Sequence, residues 1–320
     1  MNTIVAAVWG HWLRPVTEGW DQFWFAPQRP HTLALIRILG GAMLLYTHAV
    51  WSLDLLAFLG PDSWVPSDVV GKLSAPPGEQ NFAWSYLFYV QSPALLWALH
   101  LAALVVFLML TLGLYTRVVA VLSFLITISY CHRLAPALFG LDQVNAMLAT
   151  YLMLGPSGAA YSVDSWLARQ RGMVIPPRQT TTTIAIRLMQ LHLCVIYLFG
   201  GITKMPGGTW WDGSALWMAL ANQEYRSWNM TWLVDYPWLV SLLTHVAVFW
   251  ETFYPVLIWP KLTRPVFLAI AIGVHGGIAL FLGMPTFGLA MLIANLAFVA
   301  PELIDAAMRR FRGAPAATSL

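Results

Sequence analysis

Eight apolar runs, each long enough or nearly long enough to cross a lipid bilayer, govern what this chain can fold into. They cover roughly residues 31–58, 92–114, 117–133, 136–155, 182–204, 237–259, 264–283 and 286–301. A crossing helix needs about 20 mostly apolar residues, because hydrocarbon offers no partner to an unpaired backbone N–H or C=O. With loops, 320 residues accommodate about eight such helices and leave little for a soluble domain. Composition agrees: 59% of residues are hydrophobic, 10% are charged, and the mean hydropathy is +0.66. Such a chain is neither disordered nor a nucleic-acid binder resting on basic patches, and its two cysteines exclude a disulfide-stapled module. The expected fold is all-α, a polytopic helical membrane bundle of about eight transmembrane helices.

Lysine and arginine set the expected orientation, since positively charged loops tend to stay in the cytoplasm. With the amino terminus inside, the cytoplasmic side collects Arg14, Arg29, Arg117, Arg169, Arg171, Arg178, Lys261, Arg264, Arg309, Arg310 and Arg312. The other side holds Lys72, Arg133, Lys204 and Arg226, while Arg37 and Arg187 fall within runs. Both termini are then cytoplasmic. The division is an interfacial segment 1–30, a transmembrane domain 31–301 and a short basic tail 302–320. Residues 1–9 have no basic start and no cleavage site, and read as mature sequence. Tyr161–Gln170 reads as an amphipathic surface helix followed by a turn at Pro176-Pro177. Residues 205–236, rich in tryptophan, read as short helices along the outer interface.

Ionisable groups within membrane spans are costly unless paired or wet, so each one is a candidate. Arg37, Arg187 and Glu251 count to the cytoplasmic half, where both arginines can clamp onto the glutamate. Alternatively, Arg187 anchors an anionic or quinone-like head group. In the outer half, at about 1.5 Å of rise per residue, Asp142, His245 and His275 lie six to eight residues below the ends of their spans. Lys204 caps the fifth span after Gly200-Gly201. These four form one acid–base constellation in an outward-open cavity, or else the lysine snorkels to the interface and the histidines only pack. His100 belongs to the packing class. No metal motif occurs within a span, and Cys131 and Cys194 lie at depths too different for a disulfide.

The run Arg187-x-x-Gln190, Ile196-Tyr197-Leu198-Phe199-Gly200-Gly201-Ile202-Thr203-Lys204 and then Trp210-Trp211-Asp212-Gly213 resembles the HTTM (horizontally transferred transmembrane) domain family. That family is related to the membrane domain of vitamin K-dependent gamma-glutamyl carboxylase. Leu33–Leu39, Gly155-Pro156 leading into Tyr161–Asp164, and His275-Gly276 through Met284, Phe287 and Met291 extend the resemblance over about residues 30–300. It implies a catalytic chamber on the non-cytoplasmic side, with Lys204 as the base that deprotonates a hydroquinone and His275 in the same chamber. His132 stands near another family histidine. Arg187, Gln190, Trp210 and Trp211 are the implied cofactor-binding residues, and the cofactor is an isoprenoid quinone or hydroquinone.

Three departures narrow what the resemblance implies. The carboxylase carries a large luminal region after its bundle, whereas this chain runs only 19 residues past its last apolar run. Thr203-Lys204 replaces a lysine pair, and Tyr130-Cys131-His132-Arg133 replaces an Asn-His setting. Quinone-linked chemistry on a small or lipid substrate survives them better than protein gamma-carboxylation does. The expectation is therefore a multi-pass protein of the bacterial inner membrane, in contact with membrane lipids and a quinone or lipid substrate and not with nucleic acid. The alternatives are a non-enzymatic transporter or lipid-binding component, and a structural partner subunit.

Overall fold

All eight apolar runs are helical in the structure, a computed structural model that describes residues 14–73, 83–225 and 227–311. In chain order the helices are α1 (Arg14–Phe25), α2 (His31–Trp51), α3 (Leu55–Leu59), α4 (Ser67–Leu73), α5 (Pro93–Leu112), α6 (Thr116–Arg133), α7 (Gly140–Leu154) and α8 (Val163–Gln170). They continue with α9 (Thr180–Lys204), α10 (Gly208–Trp211), α11 (Ala215–Ala221), α12 (Pro237–Leu257), α13 (Arg264–Phe281), α14 (Pro285–Asn295) and α15 (Pro301–Phe311). Among the described residues the only β pairing is one isolated bridge, Gln28 with Gln179. Residues 1–9, Arg226 and Arg312 lie outside the described residues.

Helices α2, α5, α9, α12 and α13 are long and apolar enough to cross a membrane. Helices α6, α7 and α14 occupy the other three runs but are shorter or more polar. Helix α14 and its 3-10 extension (Leu296–Phe298) pass the same test only together with α15, across a bend of 115°, which makes five or at most six candidate spans. The boundaries follow local chemistry. Proline opens α5, α12, α13 and α14, where its missing N–H costs nothing. Between α6 and α7, Ala135-Pro136-Ala137 forms a 3-10 turn, so α7 starts only at Gly140.

The main core lies between α2, α7, α9, α12, α13 and α14, with Leu33, Ile36, Leu148, Met189, Leu193, Tyr254 and Ala294 buried together. A second core packs α2 on α5 and α6 through Leu44, Phe107, Leu110 and Val119. Lipid tails are as apolar as leucine, so helices in a membrane associate through close packing and hydrogen bonds more than through apolar burial. The crossing of α9 and α12 illustrates this. A Cβ on Gly201 would lie 2.7 Å from the backbone N and 2.9 Å from the Cα of Thr252, too close unless the helices part. Gly201→Ala is expected to lower stability by about 1–3 kcal/mol, the usual cost of overpacking. Thermal unfolding of the purified variant in detergent checks this, and an unchanged midpoint would contradict the close crossing.

Helices α1, α8 and α15 gather at the end of the bundle where α2 and α9 begin. Thr183 Oγ1 donates to Ala26 O, Gln28 pairs with Gln179, and Tyr161 Oη donates to Asp305. The first and last described segments therefore sit at the same end. Arg37 is tied there as well, but not to Glu251 as its depth suggested. Its guanidinium donates to Leu110 O at 2.9 Å, Thr111 O at 3.1 Å and Tyr161 O at 2.6 Å. Two of these carbonyls end α5, where orphan C=O groups and the negative end of the helix dipole attract a cation.

Candidate functional site

Helix α9 ends at Lys204 after the two glycines that let α12 approach, and that approach brings Glu251 alongside. Lys204 Nζ donates to Glu251 Oε2 at 2.5 Å and to Gly200 O at 3.1 Å. The lysine stem thus folds back one turn along its own helix, and at the level of Gly200 it meets the carboxylate. The side chains are 26% and 15% exposed, so the pair is half-buried. Trp210 covers it, with the amine 5.5 Å from the ring centroid. Counting residues had placed Glu251 with Arg37 and Arg187. That assignment is overturned because the count ignored the back-reach of the lysine and the offset between the ends of α9 and α12. The amine is accordingly not a lone group stripped of water but one half of an ion pair.

The segment over the pair follows from its sequence. Asp212 Oδ1 accepts from Ser214 Oγ at 2.5 Å and from Ser214 N at 2.9 Å. Those bonds, the side-chain one first, hold the Asp212 carboxyl below its ordinary range. Gly213 has φ +82° and lies so close to Ser241 that any Cβ would collide. Thr244 Oγ1 donates to Gly213 O at 3.0 Å, fastening the turn to α12. Trp211 Nε1 donates to Met205 O at 2.5 Å, and Trp211 O lies 3.3 Å from His245 Nε2. The other nitrogen of His245 faces Ser241 O at 2.7 Å. His245, Trp210 and Trp211 therefore lie in the neighbourhood of Lys204.

His275 occupies a separate, buried place. Its Nε2 lies 2.7 Å from Tyr197 Oη. Asn295 Nδ2 donates to Met291 O at 2.8 Å and to Tyr197 Oη at 2.7 Å, while Tyr254 Oη donates to Asn295 Oδ1 at 2.6 Å. The Met291 carbonyl can only accept, which fixes the amide orientation and makes Tyr197 an acceptor from Asn295. The direction of its bond with His275 Nε2 is set by the histidine tautomer. Tyr197 lies seven residues, two turns, before Lys204 on the same face of α9, so this chain of hydrogen bonds runs beneath the ion pair. Trp250, next to Glu251, packs on both Tyr197 and His275, at 4.7 and 6.0 Å between centroids.

Asp142 does not join this group. Because α7 starts at Gly140, it lies in the first turn rather than six residues deep, and Oδ2 accepts from Phe139 N at 3.1 Å. It lines a small, mainly apolar cavity with His48, Trp51, Tyr130, Cys131, Leu134 and Asn145 between α2, α6 and α7. The expected single constellation of Lys204, His245, His275 and Asp142 is thus divided among three places. Arg187 and Gln190 lie at the opposite end of α9 from Trp210. Arg187 donates to Phe23 O and to Gln190 Oε1, and stacks over the Phe23 ring at 4.3 Å. Gln190 Nε2 donates to Ala297 O at 2.7 Å. At about 1.5 Å per residue, some 20 Å separates these two from the Lys204 end, so one head group does not touch both sets.

His100 is a hydrogen-bonding residue, between Ser52 Oγ at 2.8 Å and Tyr130 Oη at 2.6 Å. His132 Nδ1 lies 2.7 Å from Trp84 O. Both cysteines are free thiols. Among the described residues no group of three or more His, Cys, Asp or Glu is placed to hold a metal ion. Sequence reasoning missed Tyr197, Tyr254 and Asn295, and missed Glu251 as the partner of Lys204. A lone asparagine in the last apolar run was the available signal, since a buried amide in a membrane helix needs a partner.

A family model, that of the HTTM domain, matches residues 25–302. No curated protein and no solved structure matches the chain. The match covers most of the sequence and includes every helix from α2 to α14. The chain, an integral membrane protein, belongs to the HTTM domain family.

Proposed function

We propose that this protein is a membrane enzyme that carries out acid–base chemistry on a lipid-soluble substrate, an isoprenoid hydroquinone or a related lipid, with Lys204 as the base. The observation that supports this reading is the 2.5 Å contact between Lys204 Nζ and Glu251 Oε2 beneath Trp210. Passing one proton from the ammonium to Glu251 leaves a neutral amine and a neutral carboxyl. The amine then takes the proton of a substrate O–H, and the substrate anion forms beside the resulting ammonium. Trp210 and Trp211 supply flat apolar surfaces suited to a quinone ring. A bound hydroquinone would supply the reducing equivalents for reaction with oxygen. In this reading His245 and the chain from His275 through Tyr197 tune the protonation of the site, and Asp142 acts elsewhere.

The same proposal includes eight crossings, with the basic end in the cytoplasm and Lys204 facing outward, in a bacterial cytoplasmic membrane. The clustering of Arg29, Arg169, Arg264 and Arg309 at the end that also holds the first and last described segments supports this orientation.

The test is oxygen uptake by purified protein given a reduced isoprenoid quinone. Wild type is expected to consume oxygen, and Lys204→Ala to lose about a hundredfold or more of the rate. Equal uptake by both would remove the role given to Lys204. Proton-coupled uptake of an unaltered solute into vesicles, without oxygen consumption, would favour a transporter instead.

A further inference from the structure

At the end of the bundle away from Lys204, a cavity of about 990 Å³ opens between α8, α15 and the loop that precedes α2. That volume lies at the upper end of ordinary small-ligand pockets, about 300–1,000 Å³. Its depth in the membrane follows from its walls. They include His31, the first residue of α2, and Leu112, the last residue of α5. Both helices are of membrane-crossing length, and the ends of such helices lie at the level of the lipid head groups. The cavity therefore faces the region where phosphate groups and the upper acyl chain meet.

The lining is divided accordingly. Leu112, Trp166 and Met308 contribute apolar surface, whereas Arg29, Arg169 and Arg309 contribute positive charge. Asp305 is the single carboxylate in the wall, and it is already engaged by Arg309 at 3.1 Å and by the hydroxyl of Tyr161 at 3.2 Å. The partner of Arg29 is Glu302, at 3.9 Å and more than half exposed. Arg169 has no carboxylate within ion-pair distance among the described residues. Its guanidinium donates only within its own helix, to Ser165 O at 3.0 Å and Ser165 Oγ at 3.3 Å. Positive charge is thus in excess over negative, next to apolar walls and at head-group depth.

We propose that this cavity binds a phosphate-bearing amphiphile, with the phosphate between Arg29 and Arg169 and the acyl chain against Trp166 and Leu112. Guanidinium groups pair with phosphate oxygens in a fork geometry that an ammonium cannot match. The inference rests only on the helices crossing a membrane. It is independent of any chemistry at Lys204.

The experiment uses the full-length protein purified in a neutral detergent and compares three probes: dioleoyl phosphatidylglycerol, dioleoylglycerol and inorganic phosphate. Lipid retention is read by native mass spectrometry and ligand protection by the shift in thermal midpoint. Phosphatidylglycerol is expected to be retained and to raise the midpoint, whereas dioleoylglycerol and inorganic phosphate each do so at least tenfold more weakly. Arg29→Gln/Arg169→Gln is expected to weaken phosphatidylglycerol binding at least tenfold. Arg169 is exposed and Arg29 is partly exposed with only a 3.9 Å contact to Glu302, so the midpoint without lipid should change little, and Lys204→Ala should retain the lipid as wild type does. Equal retention of phosphatidylglycerol and dioleoylglycerol, or equal retention by wild type and the double arginine variant, would overturn the proposal. Inorganic phosphate protecting as well as the lipid would also overturn it, because the site would then recognise a free anion and not an amphiphile.

Discussion

Lys204→Arg is expected to leave the fold intact and to reduce quinone-dependent oxygen uptake by about 10²–10⁴-fold, the usual worth of a general base. A guanidinium stays protonated at any working pH, yet it pairs with a carboxylate at least as well as an ammonium does. Arginine therefore keeps the contact with Glu251 and removes only the capacity to accept a proton. Lys204→Met should behave differently. It strands a carboxylate that is only 15% exposed, and it should cost about 2–3 kcal/mol, less than a fully buried pair because the lysine is itself 26% exposed. Adding Glu251→Gln removes the stranded charge and should bring the double variant back to within about 1 kcal/mol of wild type, the loss of a modest pair. Its activity should remain low. Thermal midpoints and oxygen uptake on the four proteins separate the roles: an arginine variant with full activity would make the pair structural, whatever the stabilities.

Arg37→Met should be the most destabilising single change at the other end of the bundle, by about 3–4 kcal/mol. Arg37 is fully buried and supplies the hydrogen bonds that gather the end of α5 and the loop before α8 onto α2. Methionine fills similar volume but leaves these carbonyls short of donors, and hydrogen bonds from a charged donor are worth about 1.5–3 kcal/mol each. The sum is discounted because Leu110 O also accepts from Gly113 N. Arg37→Lys should fall between the two, since one ammonium cannot span carbonyls from two separate segments as a planar fork does. Unfolding midpoints in detergent check this, and a methionine variant within about 1 kcal/mol of wild type would show that the carbonyls find other donors. The same contacts predict that the loop before α8, at Tyr161, loses protection from proteolysis in Arg37→Met before the core does.

Much of this architecture was legible without coordinates. Hydrocarbon imposes a length and an apolar composition on any helix that crosses it, and both can be read one residue at a time. All eight runs are helices, the surface helix at Val163–Gln170 and the short helices after Lys204 are present, and the HTTM resemblance holds over residues 25–302. The grouping of Lys204 with Trp210, Trp211 and His245 was legible for a related reason. Helices α9 and α12 run in opposite directions, so the end of one and the start of the other fall on the same side, with residues 205–236 lying between them.

The pairing of charges was not legible. Arg37, Arg187, Lys204 and Glu251 were assigned by depth along ideal helices, but depth leaves open the rotation of each helix and the reach of each side chain. Lys204 reaches back a full turn, Arg37 finds carbonyls instead of a carboxylate, and Arg187 is satisfied by Phe23 and Gln190. Asp142 illustrates a second limit: a 3-10 turn at Ala135–Ala137 moved the start of α7 and put that carboxylate in the first turn, away from Lys204. Sequence by itself determined what the solvent dictates, namely that each apolar run is helical, though not where each helix begins and ends. Which ionisable groups meet was decided only by tertiary packing, because a contact depends on helix rotation and offset, and those are set by residues such as Gly201 acting against a neighbour distant in the chain.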